Sequence, residues 1–133
     1  MILLDTHVLV WSSLEPSRIG PQASAAMQEG WSANAMAVSS ISFWEVAMLV
    51  ERGRLRLNSP IGVWREQWLA EGLRELPLDG SVAIAGAQLQ ALHADLADRW
   101  IVASALAAEA TLITADKQLL CWEGLKRIRD ARL

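Results

Sequence analysis

The sequence predicts an α/β fold, a three-layer α/β/α sandwich around a central, mainly parallel sheet. Three observations carry that expectation. Ile2–Leu4, Ala35–Val38 and Thr111–Thr114 are short apolar runs with the length and texture of strands buried on both faces. Stretches with helical punctuation separate them, as crossovers between parallel strands require. The chain has 133 residues, the size of one core, so residues 1–133 are expected to form a single domain.

Taken in order, the first strand, Ile2–Leu4, ends in Asp5. A loop with Pro16, Gly20 and Pro21 leads into a helix from about Gln22 to Gln28. The second strand, Ala35–Val38, is followed by serines that can cap a helix running through about Glu51. Gly53 stops that helix, and the alternation Arg54-Leu55-Arg56-Leu57 suits an exposed extended segment or a turn. Pro60 suits a helix start and puts Trp64 and Trp68 on one face. Glu75–Leu78 reads as a short strand, at an edge because of Pro77. Asp79 is placed to cap a helix reaching about Leu92, and another helix starts near Asp95 and continues through Leu106. The strand Thr111–Thr114, a short helix and a last strand over Leu125–Arg129 complete the chain.

Composition narrows the function. Hydrophobic residues at 53% and charged residues at 20% exclude a disordered chain. Arg, Asp or Glu interrupts every apolar stretch, so no membrane span is expected. The start lacks the basic region of a signal peptide, and a lone Cys121 fits a reducing, cytoplasmic setting. A net charge of −3 does not support holding nucleic acid by bulk electrostatics. If several acids share one cation-filled pocket, however, the remaining surface is close to neutral.

The acids fall where they are hardest to satisfy. Asp5 closes the first strand, and Asp116 follows the strand Thr111–Thr114. Glu45 lies inside the most apolar helical stretch, with Ile41, Ser42, Met48 and Leu49 on its face. Asp98 precedes an apolar run, with Asp95 one turn before it. In an open parallel sheet, ligands bind beyond the carboxyl ends of the strands. Carboxylates converging there suit a hard divalent cation such as Mg²⁺ or Mn²⁺, and a carboxylate-only site suits metal-assisted phosphodiester hydrolysis. With only His7, His93 and one cysteine, zinc is not expected. Each of Asp5, Asp95, Asp98 and Asp116 also has a plain alternative as a helix cap or first-turn acid, the role assigned to Asp79. Glu45, in mid-helix, has none.

These residues, in this order, resemble the PIN-domain family of metal-dependent ribonucleases, in particular the VapC-type toxins of toxin–antitoxin pairs. The resemblance lies in Leu3-Leu4-Asp5-Thr6-His7, in Val38-Ser39-Ser40-Ile41-Ser42-Phe43-Trp44-Glu45, in His93-Ala94-Asp95-Leu96-Ala97-Asp98-Arg99 and in Leu112-Ile113-Thr114-Ala115-Asp116. It implies a PIN-like fold and Mg²⁺ or Mn²⁺ held by Asp5, Glu45, Asp98 and Asp116, with Asp5 central. Thr6 and Thr114 would orient the carboxylates, and Asp95 would support the site or cap its helix. Arg99 would meet substrate phosphate or pair with an acid. The implied activity is endoribonucleolytic cleavage leaving a 5′-phosphate and a 3′-hydroxyl. The implied partners are an RNA substrate, a protein antitoxin and a second copy of the chain. Many relatives carry Pro or an aromatic residue between the paired aspartates, where this chain has Leu96-Ala97.

Other residues carry less. His7 and His93 are expected to be packed or hydrogen-bonded rather than catalytic, and Cys121 to be a core or surface thiol. Trp64 and Trp68 fit either the core or a groove for an apolar partner segment. The basic clusters Arg52, Arg54, Arg56 and Lys126, Arg127, Arg129, Arg132 fit a solvated surface or phosphate-backbone contacts. Two other functions compete with the nuclease. One is a catalytically silent RNA- or protein-binding module. The other is a Mg²⁺-dependent phosphatase, weakened because His7 stands where a dehalogenase-type site needs its second acid.

Overall fold

Five parallel strands in the order β3-β2-β1-β4-β5 form the central sheet of the computed structural model, which describes all 133 residues. The strands are β1 (Ile2–Leu4), β2 (Met36–Ser39), β3 (Arg74–Leu76), β4 (Thr111–Thr114) and β5 (Ile128–Asp130). The helices are α1 (Thr6–Leu14), α2 (Pro21–Ser32), α3 (Ser40–Glu51), α4 (Ile61–Ala70), α5 (Gly80–Gln88), α6 (Leu96–Ala107) and α7 (Lys117–Cys121), with a 3₁₀ turn at Pro16–Arg18.

The pleat sorts the apolar strand residues onto two faces. Leu4, Met36, Val38 and Ile113 join Val8, Leu9, Phe43, Val46 and Trp64 in one core cluster. Leu3, Ala37 and Leu112 point the other way, to Ile101, Val102, Ala105 and Leu119. The pairing Leu3↔Ala37 and Leu3↔Leu112 keeps this division across the sheet. The expected α/β/α sandwich and its parallel sheet are therefore what the chain forms.

The chain runs β1 to β2 to β3 on one side of the sheet and returns to β4 and β5 on the other. The order thus reverses between β1 and β4, opening a crevice beyond their carboxyl ends. Asp5 and Asp116 follow those two strands.

Several element boundaries differ from the sequence-based expectation. Helix α1 was not anticipated: it is apolar nearly all round, so no 3.6-residue stripe marks it. The helix expected at Gln22–Gln28 runs from Pro21 to Ser32, and the helix expected to reach Leu92 ends at Gln88. The edge strand is Arg74–Leu76, ending before Pro77, and the last strand starts later, at Ile128. Arg54–Leu57 is irregular, with Leu55 and Leu57 resting on the core while both arginines are exposed. Trp64 is core: it is buried, and its indole N–H donates to Ser13 Oγ at 3.1 Å. Trp68 stacks on Trp31 with centroids 6.0 Å apart, and Trp64 and Trp68 both border a cavity of about 240 Å³ beside Ser12 and Ser13. The exposed tryptophan is Trp44, at 56%.

Candidate metal centre

Each acid of the crevice is held by local backbone geometry. Asp5 caps α1 through a 2.8 Å bond from Thr6 N–H to its Oδ1, and it is only 2% exposed. Asp95 caps α6, accepting from Asp98 N–H at 3.0 Å. Asp116 caps α7, accepting from Gln118 N–H at 2.8 Å. Asp98 sits on the first turn of α6 and Glu45 in the middle of α3, both half-buried.

Two threonines tie these groups together. Thr114 Oγ1, fully buried, donates to Asp5 Oδ2 at 2.6 Å and accepts from Asp116 N–H at 3.0 Å. Thr6 Oγ1 donates to Glu45 Oε1 at 2.5 Å and lies 2.8 Å from Ser42 Oγ. A hydroxyl has one proton, so Ser42 is the donor in that last pair. Ser42, buried at the position three before Glu45, is a member of the site that sequence reasoning did not single out. A small polar residue at i−3 of a mid-helix acid is the signal that marks it.

The electrostatics follow from crowding. Asp98 is pushed up to about 8, first by burial and then by the charges of Asp5, Asp95, Glu45 and Asp116. Burial also raises Asp5 against the Thr114 hydrogen bond that opposes it, and raises Glu45 against the bond from Thr6. The three salt bridges of the chain join Arg18 to Glu15, Arg65 to Glu75 and Arg132 to Asp130. None offers a cation to the crevice. His7 is exposed, not packed as expected, and its charge acts on Asp5 and Glu45 to lower them.

The donor set fits a hard divalent cation. It consists of carboxylate oxygens outside every salt bridge, with lone pairs left over: Asp98 accepts no hydrogen bond, and Asp116 Oδ2 and Glu45 Oε2 are free. The side chains surround the crevice rather than closing on one point. No three of the His, Cys, Asp and Glu side chains are arranged to hold a single ion between them.

Arg99 does something other than expected. Its Nε donates to Gly86 O at 2.9 Å, Nη1 to Leu92 O at 2.6 Å and Nη2 to Leu89 O at 2.7 Å. A guanidinium so occupied clamps the segment between α5 and α6, and it pairs with no acid. The basic clusters are also distant in topology. Arg52, Arg54 and Arg56 follow the far end of α3, and Lys126 and Arg127 precede β5, at the edge of the sheet opposite the acids, whereas Arg129 lies in β5 and Arg132 follows it, paired with Asp130.

Comparison with known proteins agrees with this layout. The PIN domain profile matches residues 2–121. Ribonuclease VapC22 of Mycobacterium tuberculosis is 39% identical over 119 residues, covering 89% of this chain and 88% of the relative. Among solved structures, VapBC2 from Rickettsia felis bound to a promoter DNA fragment superposes with a TM-score of 0.74 at 19% identity, covering 98% of both chains. A toxin–antitoxin complex from Klebsiella pneumoniae gives 0.62 at 20% identity, over 97% of this chain and 96% of that one. With the strand order, the crevice and its acids in place, the chain belongs to the PIN-domain family.

Proposed function

We propose that the chain is a Mg²⁺- or Mn²⁺-dependent endoribonuclease and the toxin of a toxin–antitoxin pair. The observation that carries this reading is Asp98, a half-buried carboxylate that accepts no hydrogen bond, joins no salt bridge and stands among the charges of Asp5, Asp95, Glu45 and Asp116. A site of that kind is costly to the fold and fits a cation-dependent function. The name of the curated relative, a ribonuclease, supports the activity. The solved toxin–antitoxin relative supports a protein antitoxin as partner.

In this reading Asp5, Glu45, Asp98 and Asp116 hold the cation. When bound, it stabilises charge on the phosphoryl oxygens and acidifies water at the site. Thr114 fixes the direction of Asp5 and the backbone of Asp116, and Thr6 fixes Glu45. Asp95 shapes the turn that presents Asp98. The reading extends to one domain over residues 1–133, a homodimer and a cytoplasmic location. No helix is long and apolar enough to cross a membrane.

Purified protein incubated with a mixed pool of structured RNAs tests the proposal. Cleavage in Mg²⁺ or Mn²⁺, leaving 5′-phosphate ends and stopping in EDTA, is the expected result. Tight metal binding without cleavage of any RNA in the pool would favour the silent binding module instead.

A further inference from the structure

We propose that a cavity beside the carboxylates is a nucleobase subsite, taking one unpaired base of the RNA chain whose phosphate lies at the metal centre. This rests on the ribonuclease reading above. The cavity has a volume of about 680 Å³, within the range that accepts small organic groups, and Gln90, His93, Gln118, Cys121 and Trp122 line it.

Two of its lining residues adjoin the metal centre along the chain. The backbone N–H of Gln118 is the donor that holds Asp116 at 2.8 Å. His93 stands two residues before Asp95, the cap of the helix whose first turn carries Asp98. A base seated here is therefore a near neighbour, along the strand, of a phosphate among the acids.

The lining suits a base and not a phosphate. No Lys or Arg contributes to it. The indole of Trp122 and the imidazole of His93 offer faces for stacking, which every base can use. The primary amide of Gln118 presents a donor and an acceptor together, the combination that reads the edge of an unpaired base, while Gln90 Nε2 donates to Gln88 O at 3.1 Å and leaves its amide oxygen to accept.

One wall is built before any ligand arrives. Ala91 holds a left-handed φ of 58°, a conformation a non-glycine residue keeps only when its surroundings impose it. Arg99 clamps the carbonyls on either side, at Leu89 and Leu92, and Trp122 Nε1 donates to Gln90 O at 3.0 Å. Gly86 supplies the last condition. A Cβ there would meet Trp100 Cδ1 at 2.7 Å, so only glycine lets α5 lie close enough to α6 for Arg99 to reach Gly86 O. This many constraints on a connecting segment are explained by a surface that must keep its shape.

Cys121, the single cysteine and an exposed one, is a reporter inside the cavity. The test is its alkylation by iodoacetamide in the Mn²⁺-loaded full chain, followed by mass spectrometry. A large excess of single-stranded RNA should slow it about tenfold when the RNA stands at roughly ten times its dissociation constant. The same sequences annealed into duplex should not, because their bases are stacked away. In parallel, Gln118→Ala should raise KM for cleavage about tenfold, leave kcat near wild type and relax the base preference at one position beside the cut. No protection by RNA, equal protection by duplex, protection only in the complex with an antitoxin, or an unchanged KM and base preference would each overturn the subsite. Protection without cleavage would keep the subsite and remove the ribonuclease. Cleavage without protection would do the reverse.

Discussion

Asp79 and Asp5 occupy the same station in the chain. Each follows a strand, and each caps the next helix through one carboxylate oxygen, at 2.9 Å from Val82 N–H and 2.8 Å from Thr6 N–H respectively. Their surroundings separate them. Asp79 follows the edge strand β3 and is exposed, with a cap as its whole role. Asp5 follows β1 at the centre of the sheet, where the strand order reverses. It is buried, its second oxygen is bound by Thr114, and the Asp116 charge raises it. Capping geometry alone says nothing about function; the position of the strand in the sheet decides.

The comparison predicts a wide gap between variants of similar chemistry. Asp5→Asn and Asp98→Asn should each lower RNA cleavage by about a hundredfold or more, since loss of groups that merely orient metal ligands already costs about 10–100-fold. Asp79→Asn should cleave like wild type. Equal losses at Asp79 and Asp98 would erase the distinction.

Thr114→Val comes next. It removes the donor to Asp5 and the acceptor for Asp116 N–H while keeping the side-chain shape. Cleavage and Mn²⁺ affinity should fall about 10–100-fold. Chemical denaturation should show a loss of about 1–3 kcal/mol, the cost of leaving buried polar groups unpaired.

The acid cluster should also be visible in stability without metal. Burial raises the folded-state values of Asp5, Glu45 and Asp98 above those of the unfolded chain, so the folded state holds protons more tightly. That stabilisation is complete below the ordinary carboxylate range near pH 4. It is lost as pH rises through the folded values, about 8 for Asp98. In EDTA the Tm contribution of this cluster should therefore fall between about pH 4 and pH 8.5. Asp98→Asn should raise Tm at pH 8.5 and leave it nearly unchanged at pH 3.5, below the unfolded carboxylate value. A cluster with no pH-dependent difference between the two proteins would contradict the crowding described here. The smallest effect belongs to Asp79→Ala, a cap loss of about 1 kcal/mol without change in cleavage.

Much of this molecule is legible in its sequence because strands and caps are written locally. Ile2–Leu4 and Thr111–Thr114 are apolar runs with an acid just beyond, and that pattern places both the sheet and its carboxyl edge. Glu45 stands out because no local role explains a mid-helix acid among apolar neighbours. What could not be read depends on contacts between distant segments. Helix α1 spreads its apolar residues around the axis, so it has no amphipathic signature. Arg99 looks like a phosphate ligand beside Asp98 until the fold brings the carbonyls of Gly86, Leu89 and Leu92 to it. Trp64 and Trp68 share a helical face, but whether that face meets core or solvent is decided by α1 and α2, through Ser13 and Trp31.

The most direct test is calorimetric titration of Mn²⁺ into the wild-type chain, Asp98→Asn and Asp79→Asn at neutral pH, with cleavage followed on the same samples. Binding by wild type and Asp79→Asn, together with loss of both binding and cleavage in Asp98→Asn, is the predicted result. If all three proteins bind the ion equally, or none does, the crevice acids are not a metal centre.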